Sequence, residues 1–268
     1  MRENIIQIAE KAGEILLKYF KTDLSVEYKN DDDFDLVTMA DKESDEFIRS
    51  RLSELFPGDL ILSEENDSVP TDYSKRIWMV DPLDGTRSFV NEEDGFSILI
   101  GLWSDDSILF GLAYAPARKK MYFAEKGKGA FERKLNGEFK KIVASDVKDL
   151  SQVRMITKSP GGGERPLDEL LSRFEVKKII EDSGIKVSRI AAGEIDLHIN
   201  TNFRASKWDT LATQLILEEA GGAMTDLDGH PLNYKQSQSK WGRSYIAASN
   251  RGLLELVLDK IKIVDNKS

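Results

Sequence analysis

Cysteine is absent from the 268 residues, which excludes disulfides, thiolate zinc sites and cysteine nucleophiles and gives no sign of an oxidising compartment. Histidine occurs only twice, so a histidine metal cluster or a Ser-His-Asp triad has little to build on. His198 sits in the alternating run Asp196-Leu197-His198-Ile199 and reads as a structural histidine, while His230 reads as a solvated turn residue. Long apolar runs are missing as well: no stretch of roughly 18 apolar residues exists to span a bilayer. The N-terminal segment, broken by Arg2, Glu3, Glu10, Lys11, Glu14 and Lys18, is no signal peptide. Positive charge is in deficit. Lys plus Arg is 38 against 47 Asp plus Glu, and the net charge of −9 argues against a nucleic-acid polymer or an anionic membrane as partner. An acidic chain still binds phosphates if cations stand between, and the expected location is cytoplasmic.

What is present alternates between helical and extended patterns. Ile5, Ile8, Ala9, Ala12, Ile15 and Leu16 recur at helical spacing within 1–20, and Phe47, Ile48, Leu52 and Leu55 mark a second helix over 42–55. Leu60-Ile61-Leu62 and Ile77 to Val80 read as buried strands, and Ser97 to Phe123 as three mostly antiparallel strands. Gly127 to Leu150 reads as turn-rich and charged. Beyond it the pattern gives strands over 153–157, 176–180 and 196–199, and helices over 166–174, 185–192, 210–220 and 253–261. Length and pattern predict an α/β chain of layered α+β architecture in two parts. Residues 1–145 would carry most of the metal ligands, and residues 146–268 the substrate side together with Asp209.

Carboxylates carry the strongest chemical signal. Asp41 follows Leu36-Val37, Glu64 follows Leu60 to Leu62, Asp81 and Asp84 follow Ile77 to Val80, and Asp209 follows Trp208. A charge at a core edge is costly unless paired. The nearby segments are poor in Lys and Arg, so the expected counter-charge is a divalent ion, and an all-oxygen set selects magnesium, manganese or calcium, magnesium first. In Asp81-Pro82-Leu83-Asp84-Gly85-Thr86 the proline predicts that the strand stops at Asp81 and turns, so that Asp84 folds back beside Asp81 with the Leu83 carbonyl as a further oxygen. Gly85 lets a phosphate approach, and a helix opening at Thr86 offers free N–H groups. Two residues separate the aspartates, whereas phosphatases with an aspartyl nucleophile have one between them. Asp31-Asp32-Asp33 reads as a solvated run and Gly161-Gly162-Gly163 as a loop without the Lys-Ser or Lys-Thr of a phosphate loop.

Taken together, Asp35 to Asp41, Ser63-Glu64-Glu65, Asp81 to Thr86 and Trp208-Asp209 with Glu219 to Gly222 resemble the inositol monophosphatase superfamily in order and separation along nearly the whole chain. The resemblance implies an αβαβα sandwich like that of inositol monophosphatase and fructose bisphosphatase. It implies two or three magnesium ions held by Glu64, Asp81, the Leu83 carbonyl, Asp84 and Asp209. Asp41, Thr86 and Glu64 would orient the attacking water, and the Gly85 and Thr86 amides would take the phosphate. The implied reaction is direct in-line hydrolysis of a small phosphorylated substrate, with lithium inhibition. Leu83 within Asp81 to Asp84, Ser183-Gly184-Ile185-Lys186 and Lys207-Trp208-Asp209-Thr210 look most like the 3'(2'),5'-bisphosphate nucleotidases, which would release AMP and phosphate from 3'-phosphoadenosine 5'-phosphate. Lys186, Ser183, Thr157 and Lys158 are then the substrate contacts. The chain departs from that branch at Pro160, where a nucleotide-binding histidine is expected, and Lys158 is the replacement charge. Inositol monophosphatases tend to carry an acidic residue where Asn202 stands. Inositol-1-monophosphatase and histidinol-phosphate phosphatase are the alternatives within the superfamily, a non-catalytic metal-binding regulator that kept the fold is the alternative of a different functional class, and a homodimer is left open.

Overall fold

Ile5, Ile8, Ala9, Ala12 and Leu16 of the first helix, α1 (Arg2–Tyr19), are buried in the computed structural model of the chain, which describes residues 1–22, 26–28, 36–66, 68–70, 72–134, 137–157, 177–180, 184–200 and 205–265. A two-stranded hairpin, β1 (Val26–Tyr28) and β2 (Leu36–Thr38), leads to α2 (Met39–Leu55), and α1 and α2 pack side by side. The helix starts three residues before the sequence pattern suggests, because Thr38 caps it.

The pair covers one face of a seven-stranded sheet in the order β3 to β9: β3 (Leu60–Ser63), β4 (Ile77–Asp84), β5 (Ser97–Ser104), β6 (Ser107–Ala115), β7 (Lys120–Glu125), β8 (Ala130–Lys134) and β9 (Lys140–Ile142). Only β3 and β4 run parallel. The five-residue helix α3 (Thr86–Val90) sits between β4 and β5. β8 and β9 occupy the stretch read from sequence as turns. They lie at one edge, where only Ala130 and Ile142 are buried, so no alternation marks them and pairing with β7 makes them strands.

A second sheet has the order β11-β10-β12-β14-β13: β10 (Arg154–Thr157), β11 (Lys177–Ile180), β12 (Leu197–Asn200), β13 (Ala223–Asp226) and β14 (Tyr245–Ala248). Helices α4 (Lys186–Ala191) and α5 (Lys207–Glu219) lie between the sheets, and α6 (Arg251–Asp265) covers the far face. The layers are therefore αβαβα, as the resemblance implies. The helix expected over 166–174, the Gly161 to Gly163 loop, Asp31 to Asp33 and Asn202 lie outside the described residues.

The buried clusters follow this layering. Alternate residues of β4 divide between them: Trp78 and Val80 face α1 and α2, while Ile77 and Met79 face the interlayer helices. The interlayer core joins Leu211, Leu215 and Trp208 of α5 to residues of both sheets, so Trp208 is a packing residue. α5 lies almost on the backbone of the first sheet. Gly101 and Gly111 are cross-strand partners beneath it, and a Cβ at Gly111 would fall 2.3 Å from the Ala212 carbonyl oxygen. That contact is with backbone, so it has no flexible side chain to yield. Gly111→Ala is therefore expected to lower stability by about 1–3 kcal/mol, read as a shift of the urea midpoint with an unchanged slope.

Candidate active site

Two helix starts built on one local pattern each deliver a carboxylate. At α2, Thr38 is the N-cap and Asp41 the third helical residue. The Thr38 hydroxyl accepts from the Ala40 and Asp41 amides, and Asp41 Oδ2 accepts from the Thr38 N–H at 2.8 Å and its hydroxyl at 2.6 Å. At α5, Ser206 and Asp209 stand in the same relation, with Asp209 Oδ2 accepting from the Ser206 N–H at 2.8 Å. Both aspartates thus belong to helix first turns, just ahead of the helices that the sequence pattern marks over 42–55 and 210–220. Each has one oxygen engaged by its own cap, where a negative charge also suits the helix dipole. Lys207, fully buried beside them, anchors the start of α5 by donating to the Gln236 carbonyl at 2.5 Å and the Tyr73 hydroxyl at 2.9 Å.

The parallel neighbours β3 and β4 carry the other carboxylates. Glu64 follows β3 directly, its N–H donating to the Val80 carbonyl at 3.2 Å. The preceding Ser63 donates its hydroxyl to buried Asp45, which Arg49 Nε also meets at 2.6 Å, so the end of β3 is tied to α2. β4 does not stop at Asp81. It runs on to Asp84 through a register shift in which Asp81 pairs with Leu99 and Asp84 with Ser97. One extra residue on β4 makes a bulge there, and Pro82, which has no N–H to offer a ladder, is accommodated in it. The Ser44 hydroxyl holds the Pro82 carbonyl at 3.0 Å, and Asp81 Oδ1 accepts from the Leu83 N–H at 3.0 Å.

Asp81 is buried, and burial pushes its carboxyl well above the usual range. The charges of Glu64, Asp84 and Asp209 push it further. Four carboxylates from three separate segments, the end of β3, β4 and the start of α5, therefore converge, which is the arrangement the sequence pattern anticipates. Such a set, all oxygen and mutually repelling, fits a hard divalent cation. Beside it, the Thr86 hydroxyl lies 3.1 Å from the Leu83 carbonyl and 3.4 Å from Asp41 Oδ1. With one proton it serves one of these at a time and keeps lone pairs for a further donor. Gly85, with φ 87°, precedes α3, and Phe89 of α3 packs against Phe20 and Phe96, fixing a helix too short to persist alone.

A cavity of about 120 Å³ opens between Asp84 and Asp209, with Lys186, His198, Asn200 and Tyr245 among its walls. Gly184 brings α4 to its edge: its N–H donates to the Gly95 carbonyl at 2.8 Å, and a Cβ there would lie 2.3 Å from Asp84 Oδ2. The structure thus places Lys186 beside the carboxylates. Thr157 ends β10, with its side chain outside the described part, and Ser183 and Lys158 fall outside the described residues. Asn200 and Tyr245 also line the cavity, and sequence reasoning missed both. Asn200 hides in a four-residue strand, and nothing local to Tyr245 points to Asp209. Burial, then the charges of Asp209 and Asp84, push the Tyr245 phenol up, so it stays protonated. His198 Nδ1 meets the Ile156 carbonyl at 3.1 Å, which satisfies it structurally while its ring borders the cavity.

Two other features are set apart from this site. A larger cavity, about 600 Å³ on the outer face of α2, includes none of the four carboxylates among its lining residues. Asp226, Asp228 and His230 cluster at an exposed turn, where Asp226 Oδ1 already accepts from the Asp228 and His230 amides at 3.0 and 2.8 Å. No helix among the described residues is long and apolar enough to cross a membrane.

A layered αβαβα fold with acidic groups converging between its layers defines a class of metal-dependent phosphatases. The model of the inositol monophosphatase family matches residues 1–265, and the chain belongs to that family, whose members hydrolyse phosphomonoesters. The chain is 32% identical to the 3'(2'),5'-bisphosphate nucleotidase CysQ of Aggregatibacter actinomycetemcomitans, over 88% of each chain. It is 30% identical to the inositol-1-monophosphatase of Bacillus subtilis, over 88% of this chain and 90% of that one. Among solved structures, the Thermotoga maritima IMPase superposes with a TM-score of 0.82 at 27% identity, over 98% of this chain and 96% of that one.

The raised carboxyl of Asp81 has a definite consequence for stability. A group that holds its proton more tightly folded than unfolded makes the native state the better proton binder, so stability falls as pH rises from the ordinary carboxylate range through the raised value. In chelator the thermal midpoint should carry this downward component with rising pH. Magnesium, competing with the proton, should remove it; midpoints that respond to pH identically with and without magnesium would contradict the placement of the charges.

Proposed function

We propose that the protein is a magnesium-dependent phosphomonoesterase whose ions, two or three, are held by Glu64, Asp81, the Leu83 carbonyl, Asp84 and Asp209. The observation that carries this reading is the convergence of three acidic side chains, Glu64, Asp84 and Asp209, on buried Asp81. Bound there, divalent ions supply charge neutralisation for the phosphoryl oxygens and acidify the attacking water. The chain's own groups do the positioning. The Thr86 hydroxyl, within reach of Asp41 Oδ1, accepts a proton from water while passing its own to that carboxylate, which the Thr38 cap holds still. Glu64 orients the same water, and the Gly85 and Thr86 amides at the start of α3 take the phosphate.

For the substrate, we infer a 3'(2'),5'-bisphosphate nucleotide, converted to a 5'-monophosphate and inorganic phosphate in the cytoplasm. Lys186 supports this: it is a cation within the cavity that adjoins Asp84 and Asp209, suited to a leaving group that carries a second phosphate. Ser183, Thr157 and Lys158 would complete that contact. An inositol monophosphate is the second reading, favoured by the neutral polar walls Asn200 and Tyr245, which suit ring hydroxyls.

Asp84→Asn is expected to fold normally and to lose magnesium-dependent phosphate release on the order of a thousandfold. A variant as fast as the parent would overturn the site. Lys186→Ala should cost about tenfold or more in kcat/KM on 3'-phosphoadenosine 5'-phosphate and much less on inositol 1-phosphate. An equal loss on both would remove the role given to Lys186.

A further inference from the structure

The second sheet turns polar on its inner face at one place. Along β12, Leu197 and Ile199 pack against α6, so strand alternation turns His198 and Asn200 toward the interlayer helices. Along β14, Ile246 and Ala248 face α6, whereas Tyr245 and Ala247 join the interlayer side. Register sets Tyr245 directly opposite Asn200 and diagonal to His198, whose ring it meets edge-on with centroids 5.8 Å apart. Over this trio stand Lys186, at the start of α4, and Asp209, in the first turn of α5. The space between is the cavity of about 120 Å³. That is small beside the roughly 300–1,000 Å³ of pockets that enclose whole ligands, so it takes a fragment of one.

Because Asp84 and Asp209 line the cavity together with Tyr245, that fragment is part of the leaving alcohol. Tyr245 is 6% exposed and its hydroxyl is bonded to the Asn200 side chain. After one hydrogen bond between them, a phenol and a carboxamide still have donors and acceptors to spare, which suits an alcohol hydroxyl that both gives and takes a hydrogen bond.

We propose that Tyr245 is a specificity-determining residue: held by Asn200, its hydroxyl hydrogen-bonds a hydroxyl of the leaving alcohol, and its ring sets how deep that alcohol sits. The proposal rests on the phosphomonoesterase reading above and is indifferent to which hydroxylated alcohol leaves. A site built to bond a hydroxyl penalises a substrate that lacks one, since its own polar atoms are then left unmatched.

The test compares kcat/KM on inositol 1-phosphate and 3'-phosphoadenosine 5'-phosphate, both with a hydroxyl next to the ester, against 4-nitrophenyl phosphate, which has none. Tyr245→Phe keeps the ring and removes the oxygen. The ratio of hydroxylated to nitrophenyl substrate should fall about tenfold, mainly through KM. Asn200→Ala, which releases the phenol, should move the ratio the same way, and thermal midpoints identify any variant that fails to fold. A ratio unmoved in both folded variants, with the parent active, overturns the role of Tyr245 alone. A parent that releases no phosphate from any of the three with magnesium present overturns the phosphomonoesterase reading and this proposal with it.

Discussion

Negative charge gathered around a buried carboxylate is the constraint around which the chain is arranged. An isolated buried carboxylate is costly, and here Asp81 has Glu64, Asp84 and Asp209 close enough to repel it. No local element could impose such crowding. Glu64 arrives at the end of β3, Asp81 and Asp84 on β4, and Asp209 across the layer boundary on α5. The apolar clusters on both sides of the first sheet supply the packing that holds these segments in place against their repulsion.

The approach of α5 to the first sheet is the main geometric device. Gly101 and Gly111 remove side chains where the helix lies down, and Lys207 fastens its first turn to Tyr73 and Gln236. Asp209 comes within range of Asp81 because of both. At the opposite end, Glu219 accepts from the Gly127 and Gly129 amides at 2.6 and 2.7 Å, so the helix is tied to the β7–β8 turn as well. A helix held at both ends and pressed onto bare backbone has little freedom to shift.

Much of this was legible in the sequence. The acidic residues stood out because Asp and Glu rarely follow buried runs without a reason, and Asp81 to Thr86 combined proline, glycine and two aspartates in a spacing with its own chemistry. Other features depended on distant partners. The bulge at Pro82 exists only against β5, so a strand stopping at Asp81 was the sensible local expectation. β8 has a single fully buried residue and acquires its strand character from β7. Tyr245 is more than thirty residues from Asp209, and only the antiparallel pairing of β12 with β14 turns it toward the carboxylates. The Thr38-x-x-Asp41 and Ser206-x-x-Asp209 spacings were visible, though their meaning was obscured because a residue that caps a helix needs no other explanation.

Those two caps give the site a form of memory. Because Asp41 and Asp209 each have an oxygen secured by the backbone at their own helix start, neither depends on a bound cation for its orientation. The receptacle outlasts its contents, and reloading becomes a matter of diffusion and dehydration of the incoming ion, with no rebuilding of the chain. A replacement at either position would have to offer the same acceptor to its own helix start.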